Sequence, residues 1–309
     1  MTGQAIGSSS AQEAIGAAVD ALRAAGVEDP RLDAELLLSE ALDCGRAALV
    51  ASPEAEVPAE AGRRFGEMVR RRLRREPVAY ILGRRAFRRL ELAVDRRVLI
   101  PRPETEMLVE LALELRPGRV LDVGTGSGAV ALALADELEG CDVLATDTSA
   151  AALEVARVNA ERLGLADRVE LLPGTLPENR EFDLVLANLP YVAERDWPSL
   201  QPEVTKWEPR EALLAGPDGL DAYRSFFASP RLATSFGHST ESGNSAEAPG
   251  GLPAVAVEIG AGQAPAVAAL VRAAGFGDVE VRRDLAGIER VVVGRGDREL
   301  SPVGAGKPG

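Results

Sequence analysis

Residues 119–128 read RVLDVGTGSG and residues 182–191 read FDLVLANLPY. In each, a short apolar run stops abruptly at turn-forming residues, as a buried strand of a parallel sheet does at its carboxyl end. Glycines at 124, 126 and 128 let the chain turn tightly and approach a ligand without a Cβ clash, with amides at a helix N-terminus aimed at the bound group. Outward from these stretches, strand patterns cover 120–123, 142–146, 169–172, 182–187 and 254–259. Helical patterns start at 128 and cover 149–163 and 264–274. This alternation predicts an α/β domain built on a parallel sheet with helices on both faces. Two further β-rich runs, 279–283 and 290–293, are separated by a connection too short for a crossover, so they are expected to pair antiparallel.

The first hundred residues read differently. Ser10-Ala11-Gln12-Glu13 has the form of a capping box, and Ile15, Val19 and Leu22 follow at helical spacing before Gly26. A second helix starts at Asp29-Pro30 and carries Leu32, Leu36 and Leu37; a third starts near Pro58 and presents Phe65, Met68, Val69 and Leu73. Three such helices bury their apolar stripes together, so 1–76 is expected to be a small helical domain that Pro77 ends. Residues 77–100 suit a β-hairpin linker, and 101–296 form the α/β domain. Within it, 234–251 is rich in Ser, Gly and Ala without periodicity; this segment and the tail, 297–309, are expected to be disordered.

Composition excludes several chemistries. One histidine, His238, and two distant cysteines, Cys44 and Cys141, argue against a metal site, a disulfide framework and a histidine general base. No apolar run approaches a membrane span, and the N-terminus lacks the pattern of a signal peptide, so a cytoplasmic protein is expected. Thirteen arginines face four acids between 63 and 97, a local excess of nine positive charges that leaves −22 for the remainder of a chain at −13. So acidic a body argues against stable nucleic-acid binding, and the arginine stretch reads first as a solvated helix face.

Nineteen residues after Gly128, at the end of the second strand, Asp147 is placed to accept hydrogen bonds from both hydroxyls of a ribose. With the glycine loop it specifies an adenosine-containing cofactor, although Gly124, Gly126 and Ala129 also satisfy the G-x-G-x-x-A pattern of nicotinamide and flavin enzymes. Asn188-Leu189-Pro190-Tyr191 then sets a carboxamide, a rigid turn and a ring at the carboxyl edge of the sheet, where open α/β folds bind ligands. A planar amide or exocyclic amine that accepts a methyl group needs such a site. Its N–H groups can be received by the Asn188 side-chain oxygen and the Leu189 backbone carbonyl, while Tyr191 packs on the plane.

From about residue 12 to about 294 the chain resembles the N5-glutamine methyltransferases of class-I peptide chain release factors, the PrmC/HemK family. The resemblance rests on PVAYILG at 77–83, LIPRPETE at 99–106, LDVGTGSG at 121–128 and NLPY at 188–191. Further segments are Glu208-Pro209 with Ala212-Leu213, GLDAYR at 219–224, and Glu258-Ile259-Gly260 with Gln263. The resemblance implies a seven-stranded Rossmann-like domain that uses S-adenosylmethionine, a helical N-terminal domain that helps hold the substrate, and the glutamine of a release-factor Gly-Gly-Gln motif as acceptor. It assigns Gly124, Thr125, Gly126, Ser127, Gly128 and Asp147 to the cofactor, and Asn188, Leu189, Pro190 and Tyr191 to the glutamine amide, with Asn188 also bordering the cofactor. Leu189 stands where the family usually has proline, and Gly174-Thr175 where an acidic residue usually meets the adenine, so the backbone of Gly174 and Thr175 is expected to take that contact. Two other readings fit the same residues: a nucleic-acid amino-methyltransferase, and a cofactor-binding assembly factor without activity.

Overall fold

The computed structural model describes residues 10–234 and 254–296. The segment expected to be disordered lies outside them from 235 onward, with His238, and so does the tail from 297. The chain divides into two compact units.

The first unit runs to Arg84 and includes Gln201–Trp207 from much later in the chain. Its helices span Ala11–Ala24, Pro30–Leu42, Arg46–Ala51, Ala59–Leu73, Val78–Leu82 and Pro202–Trp207. Ser10 and Glu13 form the expected reciprocal cap, the Glu13 amide donating to Ser10 Oγ and the Ser10 amide to Glu13 Oε2. Leu22, Leu37, Leu38 and Phe65 meet in the core with Ile81. Pro77 opens the last helical turn rather than closing a domain, since its fixed φ suits the start of a helix; Gly83 at φ 71° closes it. The arginine stretch is only partly a solvated face. Arg72 is buried, 2.7 Å from Asp33 and 2.6 Å from Glu203, while Arg75 holds both oxygens of Glu203. Burial alone would raise the Glu203 carboxyl; Arg75 and Arg72 outweigh it and hold the group below its usual range. Paired in this way, these charges fasten residues 201–207 into the helical unit.

The second unit comprises Arg85–Leu200 and the chain from Glu208. It begins with a hairpin of β1 (Arg84–Phe87) and β2 (Leu90–Ala93), whose turn residue Arg88 grips Glu137 with two hydrogen bonds of 2.9 and 2.7 Å. The sheet is built from β3 (Arg119–Val123), β4 (Asp142–Asp147), β5 (Val169–Pro173), β6 (Leu184–Ala187), β7 (Ala254–Glu258), β8 (Asp278–Arg283) and β9 (Glu289–Arg295). Its order is β5-β4-β3-β6-β7-β9-β8; the first five strands are parallel, and β9 pairs antiparallel with β7 and β8. Strands buried on both faces read as continuous apolar runs, which is why β6 and β7 are wholly buried. One face packs on the helices Glu106–Leu115, Ala129–Glu137 and Ala150–Leu163, the other on Asp221–Phe227 and Ala264–Ala273.

Register positions the chemistry. Val123 pairs with Thr146 on one side and with Ala187 on the other, and Ala187 pairs with Val257. One residue beyond this level row stand Asp147, Gly124, Asn188 and Glu258, from four adjacent strands. An open depression of about 880 Å³ lies at the opposite, amino-terminal end, around Arg119, Asp142 and Val169, and carries none of these residues.

Candidate active site

At the carboxyl edge lies a cavity of about 360 Å³ whose walls come wholly from the second unit. Gly124, Gly126, Asp147, Thr175, Asn188 and Leu189 line it, together with Pro190. Its size falls within the range of small-molecule sites. The glycines adopt the left-handed conformation, with φ of 76° at Gly124, 57° at Gly126 and 84° at Gly128. Their amides are not turned toward a ligand, contrary to the expectation from sequence. The Gly124 and Thr125 amides donate to the Thr146 carbonyl at 2.8 and 3.0 Å, and the Gly126 amide donates to Asp147 Oδ2 at 2.9 Å. The loop folds down over the end of β4, and the tight curvature, more than anion binding, is what demands glycine.

Asp147 receives the Ser149 amide on Oδ1 at 2.8 Å as well, so both oxygens are fixed by the backbone while each keeps lone-pair capacity toward the cavity. Gly174 follows β5 with φ 112° and open space where a Cβ would stand, and its amide donates to the Asp147 carbonyl. Thr125, Ser127 and Gly128 do not line the cavity and instead brace its floor. The Thr125 hydroxyl donates to Asp122 Oδ2 at 2.6 Å, the Ser127 carbonyl accepts from Asn159, and a Cβ on Gly128 would stand 2.9 Å from Leu132 Cδ1. Asn159, wholly buried, also exchanges two hydrogen bonds with Ala93, tying the hairpin to this loop.

Asn188 borders the cavity with its amide nitrogen donating to the Thr105 hydroxyl at 3.0 Å, which leaves Oδ1 as the acceptor end. A Cβ on Gly124 would meet the Asn188 carbonyl only at an ordinary 3.6 Å, so it is the φ of 76° that favours glycine here. Tyr191 lies outside the cavity wall: its hydroxyl is 3.4 Å from Glu258 Oε1, and burial pushes its phenol far above the usual range. The turn is clamped from behind by Gln263, whose amide nitrogen donates to the carbonyls of Tyr191 at 3.0 Å and Gly219 at 3.2 Å while its oxygen accepts from the Gly260 amide. A Cβ on Gly219 would stand 2.4 Å from the Tyr191 carbonyl, so that position requires glycine. Residues 100–102 are held by Glu208, which accepts from the Ile100 amide at 3.2 Å and from Arg102 at 2.5 Å. Sequence reasoning gave no role to Thr105, Asn159, Glu208, Glu258 or Gln263. The motifs quoted around 99–106, 208–213 and 258–263 marked where to look, but each role exists only between distant segments.

A family model described as a methyltransferase domain matches residues 120–207, and one described as the PrmC N-terminal domain matches residues 13–83. The catalytic domain of hMettl16, in complex with MAT2A 3′UTR hairpin 6, shares the fold with a TM-score of 0.50 at 15% identity, over 68% of this chain and 77% of that one. The second unit is therefore a Rossmann-like S-adenosylmethionine-dependent methyltransferase domain. Release factor glutamine methyltransferase of Caulobacter vibrioides is 41% identical over 90% of this chain and 93% of its own length. That of Moorella thermoacetica is 43% identical over 90% and 96%. The chain belongs to the release factor glutamine methyltransferase family. Among the described residues no helix is long and apolar enough to cross a membrane.

Two buried carboxyls at the edge set a pH dependence. Burial raises Asp122 to about 6 against the opposing hydrogen bonds of Thr125 and Ala131, and raises Glu258 to about 7. Their ordinary values are 3.8 and 4.5, so the folded state prefers each protonated. The stability each contributes is complete at acid pH and is lost as pH rises through the folded value, about 3 kcal/mol apiece. The melting temperature should fall between pH 5 and pH 8, and Asp122→Asn should flatten the lower part of that fall in scanning calorimetry. A profile that is level or rising over this range would contradict the assignment.

Asp147→Ala should weaken S-adenosylhomocysteine binding about 10- to 150-fold, the equivalent of 1.5 to 3 kcal/mol for hydrogen bonds to a charged group. Titration calorimetry reads it directly, and an affinity within twofold of the parent would place the ribose elsewhere.

Proposed function

We propose that the chain methylates the side-chain amide nitrogen, N5, of the glutamine in the Gly-Gly-Gln motif of class-I peptide chain release factors, in the cytoplasm, with S-adenosylmethionine as donor. The observation that carries this reading is Asn188: its carboxamide stands at the edge of the cofactor cavity with the nitrogen occupied by Thr105 and the oxygen left to accept. The curated relatives that match over nine-tenths of the chain carry the name of this reaction.

Bound in the cavity, the cofactor supplies an electrophilic sulfonium methyl group. Asp147 holds the ribose, and the backbone at Gly174 and Thr175 borders the adenine. Asn188 Oδ1 and the Leu189 carbonyl accept the two N–H groups of the glutamine amide, which fixes its plane and leaves one face of the nitrogen open. Leu189 in place of proline preserves that carbonyl, and Pro190 keeps Leu189 extended. No strong base is required, because the nitrogen becomes acidic only once it is methylated. Tyr191, its phenol protonated, is not such a base, and its place is behind the turn rather than on the cavity wall. Most of the acceleration then comes from alignment, an effect worth up to about 7 to 11 kcal/mol. Hydrogen bonds from the amide to Asn188 strengthen as the nitrogen gives up its conjugation and positive charge develops.

Asn188→Ala should lower single-turnover methylation of a release factor about 10²- to 10³-fold, as the loss of one preorganised transition-state contact does. Cofactor affinity, measured separately, should stay within about threefold. A rate within threefold of the parent, or equal labelling of RNA and of a release factor whose Gly-Gly-Gln glutamine is replaced by alanine, would overturn the reading.

A further inference from the structure

Apolar side chains on a surface need no explanation one at a time; gathered on one braced element, they do. Among the described residues five large ones are exposed: Leu32, Val50, Val281, Leu285 and Ile288. The first two belong to the helical unit, and the other three share the β8–β9 hairpin of the second. Leu285 at its tip is fully exposed, Ile288 is 38% exposed, and Val281 stands at 36% on the edge strand β8.

The turn is built to keep that leucine out. The Asp284 amide donates to the Ile288 carbonyl at 2.8 Å, and the Asp284 carbonyl accepts from the Gly287 amide at 2.9 Å. Asp284 Oδ1 accepts from the amides of Ala286 and Ile288, both at 2.9 Å, and Oδ2 from Arg290 Nε at 2.9 Å. These bonds fix the backbone around Leu285 and leave its side chain in water, a cost that burial against a partner recovers.

The place of the turn says which partner. β9 runs antiparallel to β7, and the Ile259 amide donates to the Arg290 carbonyl at 2.8 Å, so the turn rises from the same carboxyl edge as Asn188. Arg290 also approaches Glu104, 3.9 Å away, in the turn Pro103–Thr105 whose Thr105 meets Asn188. The hairpin lies two to three strand spacings from β6, about 10 to 14 Å. A standard protein interface covers about 800 Å² per partner, which reaches about 16 Å from its centre. A protein that sets a glutamine against Asn188 therefore overlies this turn.

We propose that the tip of the β8–β9 hairpin, Leu285 with Ile288, is a docking contact for the release factor, meeting an apolar patch on the protein surface beside the acceptor glutamine. The inference rests on the reading of Asn188 as the site of that glutamine and adds where the rest of the substrate is held. A second copy of this chain is the poorer occupant. Three side chains, two of them little more than one-third exposed, offer far less than the ~1,600 Å² that a standard interface buries, but they suffice as an accessory to a substrate already gripped at its glutamine.

The test is steady-state methylation of a release factor by the full chain, with S-adenosylhomocysteine affinity, melting temperature and sedimentation measured alongside. Leu285→Ser should raise KM for the release factor about tenfold or more, the effect of losing one buried leucine. Because the contact is made equally in the ground and transition states, kcat and cofactor affinity should stay within about twofold. The melting temperature should not move, since the side chain is fully exposed in the free chain. Leu285→Met should stay within about threefold of the parent KM, because it conserves apolar volume, and adding Ile288→Ser to Leu285→Ser should raise KM further. A KM for Leu285→Ser equal to the parent's overturns the proposal, and so does a fall in kcat with KM unmoved. A change from dimer to monomer with KM unmoved overturns it too, giving the tip to a second copy. If the parent methylates no release factor, the reading of Asn188 fails and the docking contact falls with it; methylation by the parent with KM indifferent to residue 285 leaves that reading standing and removes the contact alone.

Discussion

Level pairing of β4, β3, β6 and β7 brings four residues of different chemistry to one line: Asp147, Gly124, Asn188 and Glu258 each stand one position past a paired row. A slip of one residue in any of these strands would carry the residue at its end out of line with the others. The burial of β6 and β7 on both faces fixes this register. It holds the asparagine and the buried acid at fixed heights on neighbouring strands.

The loops at this edge are held by backbone geometry, and the polar side chains around them serve mainly as braces. Asp122 ties Thr125 to the first turn of the following helix, Gln263 ties the Asn188–Tyr191 turn to Gly219 and Gly260, and Glu208 ties residues 100–102 in place. Asp122 and Glu208 are buried and Gln263 is partly buried, and hydrogen bonds offset their desolvation. Asp122 and Glu258 are exceptions in degree, since burial still raises both. Stability is given up at neutral pH by keeping these two acids buried at the sheet edge.

The parts of the site that lie within one segment were legible in the sequence. A glycine loop after a strand, an acid at the end of the next strand and an asparagine quartet after the fourth are local patterns, and the structure brings Gly124, Gly126, Asp147, Thr175 and Asn188 to one cavity. What could not be read was direction. That the Gly124 and Thr125 amides would turn to the Thr146 carbonyl depends on how the loop settles over β4. That Thr105 would meet Asn188, 83 residues away, depends on the whole sheet. The helices Arg46–Ala51 and Val78–Leu82 escaped notice because five or six residues carry too little periodicity to read. Likewise the arginine stretch gave no sign that Arg72 and Arg75 would close on Glu203, more than a hundred residues later.

The central claim is that this edge presents a planar carboxamide nitrogen, and no other nucleophile, to the methyl donor. Tandem mass spectrometry of a class-I release factor after incubation with the chain and S-adenosylmethionine tests it most directly, because fragment masses locate the added methyl group. The account predicts one methyl on the side-chain nitrogen of the Gly-Gly-Gln glutamine. A methyl on an oxygen, on a lysine or arginine, or on any residue outside that motif would contradict it.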